Sequence, residues 1–139
     1  MSDPIVVADE VSLTYGAGAV AVRALDRVSL DLFRGEVLLI LGPSGSGKTS
    51  LLQILGALVA PTSGSVTVAG IPTTSLSAKA RCRVRLDYFG FIFQAHHLIP
   101  TLTAWENVAV ALDLKGVRGR AAEARSRTLL DGLGLGSRA

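Results

Sequence analysis

The chain has 139 residues, enough for one ordinary domain with a real core and too few for two. Apolar residues make up 49% of it, yet they come in runs of roughly four to eight, well short of the ~20 that cross a bilayer, so the expectation is a soluble domain or one held to a membrane by a partner. With a net charge of +3, 5% aromatic residues and a single cysteine, Cys82, the sequence offers no base-stacking surface for nucleic acid, no internal disulfide and no cysteine-based zinc site.

Met1-Ser2-Asp3-Pro4 lacks a basic stretch ahead of an apolar one, so no secretory signal is expected and the cytoplasm is the expected compartment. Ile5 to Tyr15 reads as a strand, and Val28 to Leu32 alternates with a period of two as its antiparallel neighbour. After the turn at Arg34-Gly35, Val37-Leu38-Leu39-Ile40-Leu41 is an unbroken apolar run, the pattern of a central strand buried on both faces. Leu51, Leu52, Ile54, Leu55 and Leu58 then fall at helical spacing, and Pro61 to Gly64 ends the helix. Ser65 to Gly70 reads as a short strand, Leu76 to Arg85 as a polar helix with Cys82 as a small half-buried member, and Phe89 to Phe93 as a second buried strand. Helices are expected at Ala104 to Leu114 and Arg120 to Leu133, and the arginines at 81, 83, 85, 118, 120, 125 and 127 as solvated helix faces.

Gly42-Pro43-Ser44-Gly45-Ser46-Gly47-Lys48-Thr49 fits the phosphate-binding pattern G-x-x-x-x-G-K-[ST], and its place between an apolar run and a helix is the context that pattern requires. Small residues let the backbone curl so that successive N–H groups face phosphate oxygens, and the helix adds its positive end. Lys48 would reach the β- and γ-phosphates, the Thr49 hydroxyl would join the coordination of Mg2+, and Ser50 could add a hydroxyl to the α-phosphate. A glycine-rich turn without a ligand is the plain alternative. His96-His97 invites a metal reading, but adjacent side chains point apart and no third ligand lies nearby, so no metal is assigned to them.

The early hairpin, the P-loop, Pro61 to Gly70, and Gly90-Phe91-Ile92-Phe93-Gln94 together resemble, in order and spacing, the ATP-binding domains of ABC transporters over nearly the whole chain. Leu98 to Val108 resembles the branch that powers lipoprotein release and macrolide-type export. The resemblance implies an α/β P-loop NTPase with a RecA-like core and an N-terminal antiparallel β element, and residues 1–139 as the N-terminal part of one such domain. It implies that Tyr15 stacks on adenine, and that Gln94 ligates Mg2+, orients the attacking water and makes Gln94 and Lys48 the catalytic pair. It further implies ATP as the nucleotide, a second ATP-binding subunit as dimer partner, membrane-spanning permease subunits, and a place on the cytoplasmic face of the bacterial inner membrane. Trp105 faces the permease by that resemblance, or simply anchors its own helix.

Relatives of this kind hydrolyse ATP with a Walker B Asp-Glu and a switch histidine, and pair each P-loop with a partner's signature motif. Val108 to Asp113 resembles Walker B only superficially, because Leu114 stands where the glutamate belongs, and it reads better as helix. Leu133 to Ser137 does not match the signature. The expectation is therefore a chain that stops short of these motifs, binds ATP without efficient hydrolysis, and leaves apolar edges prone to association. The competing function is a non-transport, nucleotide-dependent interaction module. A P-loop kinase or GTPase is disfavoured by the lack of an Asn-Lys-x-Asp guanine-reading motif.

Overall fold

The structure is a computed structural model that describes residues 3–95 and 97–138. The chain divides into two compact units, Met1–Gly90 and Phe91–Ala139.

In the first unit, β1 (Val6–Tyr15) and β2 (Val22–Leu32) form an antiparallel ribbon, and β3 (Ser63–Val68) and β4 (Ile71–Pro72) extend it into a sheet of order β2-β1-β3-β4. Alternation along β1 places Val6, Ala8, Val11 and Leu13 inward, where they meet Leu25 of β2 and Val66 and Val68 of β3. Helix α1 (Lys48–Leu55) closes this face with Leu51, Ile54 and Leu55. Val11 is fully buried and Ile54 nearly so, each such side chain contributing about 1.5–3 kcal/mol relative to exposure. Helix α2 (Ala78–Tyr88) starts at Ser77, whose hydroxyl accepts the Ala80 N–H, and contributes only Val84 as a buried residue.

The ribbon is interrupted by bulges that break its alternation. Asp9 and Glu10 lie opposite Ser29 alone, and Ser12 lies opposite both Asp26 and Arg27. Glu10 and Arg27 each adopt a φ of +45°, and each gives its N–H to a serine hydroxyl of the other strand, Ser29 and Ser12, at 2.8 and 2.9 Å. The strand expected from Val28 therefore begins six residues earlier, at Val22.

Two sequence expectations are corrected. Residues 37–41 form no strand, and Val37 is 93% exposed. Residues 89–93 likewise form no strand, and Ile92 is 101% exposed. A strand buried on both faces needs flanking strands and covering helices, and among the described residues neither segment pairs with any strand. Phe89 packs partly against the core of its own unit, and Phe91 stacks on Phe93 at 5.7 Å between ring centres. Cys82, expected to be half-buried, is exposed, because α2 turns only the Val84 edge inward.

The second unit is a helical pair, α3 (Ala104–Leu114) and α4 (Gly119–Gly132). The segment that superficially resembles Walker B lies inside α3, as expected. Thr103 and Glu106 cap α3 reciprocally: the Thr103 hydroxyl accepts the Glu106 N–H, and the Glu106 carboxylate accepts the Thr103 N–H at 2.8 Å. The Thr103 N–H and hydroxyl hold the Glu106 carboxyl below the ordinary carboxylate range, so the cap is complete at neutral pH. The arginines are mostly solvated as expected and pair locally, Arg83 with Asp87, Arg118 with Asp113 and Arg127 with Glu123. Such exposed pairs contribute little, about 0–1 kcal/mol each. Arg127 also lies 5.3 Å over the Trp105 ring, joining α4 to α3, a contact of the helix-anchoring kind.

Helix α4 buries Ala122, Ser126 and Leu130 at a spacing of four. The Ser126 hydroxyl is fully buried and has no hydrogen-bond partner among the described residues. Ser126→Ala removes an unpaired polar group and installs a better helix former, so it should raise stability by about 1 kcal/mol or more. Urea unfolding of the two chains measures this; an unchanged or lowered midpoint would mean that the hydroxyl is satisfied.

Candidate functional site

Residues 42–49 run from an extended segment into the first turn of α1. Gly47 is the N-cap of that helix, at a φ of +88°, and supplies no side-chain acceptor. A Cβ there would lie 2.3 Å from the Ala24 carbonyl oxygen, so this position requires glycine both for its backbone angle and for its approach to β2. No acidic residue lies in the first turn. The first-turn N–H groups and the positive end of the helix are therefore directed at whatever anion sits in front of them.

The Lys48 ammonium folds over its own loop. It donates to the Gly42 carbonyl at 2.8 Å, to the Pro43 carbonyl, and to the Ser46 hydroxyl at 3.3 Å. Ser46 N–H in turn closes a tight turn onto the Pro43 carbonyl. These contacts pin a mobile cation at the mouth of a cleft of about 290 Å3 formed by residues 44–50 and by Val22, Arg23 and Ala24 of β2. The lining is rich in N–H and hydroxyl donors, and it holds two cations and no carboxylate. The Thr49 hydroxyl makes no hydrogen bond to other described residues and is exposed.

Tyr15 ends β1 directly opposite Val22, a residue of the cleft lining, so the strand pairing sets it beside the same cleft. Its hydroxyl lies 3.4 Å from Ser50 Oγ and 3.5 Å from Gln53 Oε1, near the limit of a hydrogen bond, and the residue is 45% exposed. The fold thus brings together Tyr15, the loop from Gly42 through Gly47, Lys48, Thr49 and Ser50. Gln94 belongs to the other unit, where it lies exposed in a bend after Phe93.

Arg23 carries no sequence motif, yet it lines the cleft and pairs with Asp26 at 3.2 Å. Its only signal was a basic residue close to the end of a strand whose early half the bulges disguised. Among the described residues no group of three or more histidine, cysteine or acidic side chains could hold a metal ion by itself. His96 lies outside the described residues, and the ring of His97 meets the edge of Phe93. A donor set of one free hydroxyl beside a phosphate cradle suits a magnesium ion that takes most of its ligands from phosphate and water.

The model of the family described as ABC transporter matches residues 25–139. The chain is 46% identical over 138 residues to the lipoprotein-releasing system ATP-binding protein LolD 2 of Caulobacter vibrioides, covering 99% of this chain and 60% of that protein. It is 44% identical to the macrolide export ATP-binding/permease protein MacB 1 of Aeromonas hydrophila, covering 99% of this chain and 21% of that protein. Among solved structures, the ATP-binding cassette MJ0796, seen as a dimer bound to ADP and Pi, superposes with a TM-score of 0.83 at 39% identity, over 91% of this chain and 56% of that one. The mixed α/β fold is accordingly that of part of a P-loop NTPase cassette. The chain spans about three fifths of the length of the LolD proteins it matches.

Proposed function

The chain belongs to the ABC transporter ATP-binding family, and from that premise we propose that it binds Mg-ATP as part of a subunit that powers a membrane transporter of the lipoprotein-release or macrolide-export type. The observation that carries this reading is the cleft: the Lys48 ammonium and the first turn of α1 open onto it, and Tyr15 lies beside it, paired with Val22 and with its hydroxyl near Ser50, both of the lining. Phosphates enter against the N–H groups of residues 44–49 and draw Lys48 away from the Gly42 and Pro43 carbonyls onto their own oxygens. Ser50 lies beside Tyr15, where its hydroxyl meets the α-phosphate as the Tyr15 ring covers the base. Thr49 is the cleft residue that would hold Mg2+, which neutralises phosphate charge when bound; a part for Gln94, as a second ligand and as the group that orients the attacking water, rests on the family resemblance alone.

We read residues 1–139 as the N-terminal part of one ATP-binding domain; the family match over residues 25–139, which takes in residues of both units, supports a single domain. The dimeric cassette and the permease-linked relatives support a second ATP-binding subunit and membrane-spanning partners, which would hold the protein at the cytoplasmic face of the inner membrane. No helix among the described residues is long and apolar enough to cross a membrane itself. Hydrolysis belongs to the complete, dimeric form, where a partner closes each nucleotide site.

The test is equilibrium binding of a fluorescent ATP analogue with Mg2+ to the complete chain and to Tyr15→Ala. Loss of one stacking contact is worth about 1–3 kcal/mol, so the variant should bind about tenfold or more weakly. A folded chain that binds no nucleotide would remove the whole reading; equal binding by both chains would remove only the role of Tyr15.

A further inference from the structure

The sheet face opposite the core carries a second polar cleft, of about 450 Å3, in which Ser12, Thr14, Thr62 and Ser63 surround Arg23 and Arg27. It is a product of the bulge at Asp26-Arg27. The register shift opposite Ser12 comes with a φ of +45° at Arg27, an angle that costs an arginine conformational energy, and Arg27 is among the residues that line the cleft. Arg23 is partly neutralised by Asp26 at 3.2 Å, whereas the Arg27 guanidinium has no ion pair or hydrogen bond among the described residues.

The hydroxyls add to the same polarity. Ser12 Oγ already accepts the Arg27 N–H at 2.9 Å, and Thr62 Oγ1 already accepts the Thr14 N–H at 3.0 Å. Each has used one lone pair and kept its proton, so each can donate to an acceptor in the cleft. Two guanidinium groups against one carboxylate make the lining net positive as well as donor-rich. A cation would find only the engaged Asp26, and an apolar group would strand these donors.

We propose that this cleft binds a phosphate-type oxyanion at a second site that adjoins the nucleotide cleft through Arg23, with Arg27 as its principal charged contact and the Ser12 and Thr62 hydroxyls completing it. The bulge then has a use: it sets Asp26 and Arg27 together opposite Ser12, so that both line the cleft.

Inorganic phosphate is the probe, titrated at constant ionic strength into the complete chain carrying Lys48→Ala, which silences the P-loop. The backbone amides of Arg27 and Thr14, which donate to the two hydroxyls, are followed by NMR. They should shift saturably, and Arg27→Gln should weaken binding about tenfold or more, as expected for losing a charge-assisted contact. Arg27→Gly suits the +45° backbone, so it should lose the phosphate response while raising the unfolding midpoint, which separates loss of binding from loss of fold. With Lys48 intact, Arg27→Gln should bind ATP as the unsubstituted chain does. Shifts confined to residues 42–50, or an identical titration for Arg27→Gln, would overturn the site. A parallel arm uses phosphatidylcholine vesicles containing phosphatidic acid; Arg27-dependent vesicle binding without a response to free phosphate would overturn the free-anion form.

Discussion

Lys48→Ala is expected to weaken Mg-ATP binding by about 100-fold while leaving the unfolding midpoint of the complete chain nearly unchanged. The ammonium is held by three oxygens of its own loop, all of them at an exposed position. Moving to two phosphates exchanges contacts with neutral oxygens for contacts with charged ones, each worth about 1.5–3 kcal/mol. The surplus after that exchange is about 3 kcal/mol, which sets the fold-change. In the absence of nucleotide the alanine variant returns the Gly42 and Pro43 carbonyls to water at little cost. Titration of a fluorescent nucleotide, with urea unfolding of the same samples, measures both halves. Unchanged affinity in a folded variant would show that the loop does not grip phosphate.

The largest loss of stability is expected far from that lysine, at Gly64→Ala. Gly64 sits in β3 opposite the Glu10 bulge of β1, at a φ of +84°. A Cβ there would lie 2.4 Å from the Glu10 carbonyl oxygen, 2.5 Å from its carbon and 2.6 Å from the Asp9 oxygen. All three are backbone atoms, so no side chain can swing aside. The methyl group must either push β1 from β3, disturbing Val11 and Val66, or force the glycine angle to change. Left-handed strain alone costs about 1–2 kcal/mol and overpacking another 1–3, for a loss of about 4 kcal/mol in total. That is a large part of the stability of a small domain, commonly about 5–15 kcal/mol. Gly70→Ala is the control, because Gly70 has a φ of +79° but nothing within 4 Å of its Cβ position. It should lose only the strain, about 1 kcal/mol or slightly more. Urea unfolding that gave equal losses would refute the role of close approach.

Local pattern made much of this molecule legible. Helix α3 occupies the span its apolar spacing indicates, β1 begins within one residue of expectation, and the P-loop lies at the start of α1 as its motif requires. What local pattern could not show was which apolar runs find partners. Val37 to Leu41 and Phe89 to Phe93 have the composition of interior strands, but burial is conferred by neighbours, and the described sheet runs β2-β1-β3-β4 without them. The early half of β2 is hidden in the sequence for a different reason. Bulges at Ala24 and at Asp26-Arg27 shift its alternation twice, so period two fails where the strand persists, and Arg23 was hidden with it. At the nucleotide cleft the sequence named the loop and the tyrosine through motif and resemblance, while the β2 wall facing them emerged only from strand pairing.

Asn107 ties the segment before α3 to the helix itself. Its side-chain oxygen accepts the Ile99 N–H at 2.8 Å, and its amide group donates to the carbonyls of Ile99, Leu102 and Thr103 at 3.0 to 3.2 Å. Four contacts from one side chain leave residues 99–103 little slack. A pull applied at Ile99 therefore reaches the first turn of α3 as a displacement and is not dissipated in loop motion, so the segment and the helix act as a stiff lever with Asn107 as its rivet.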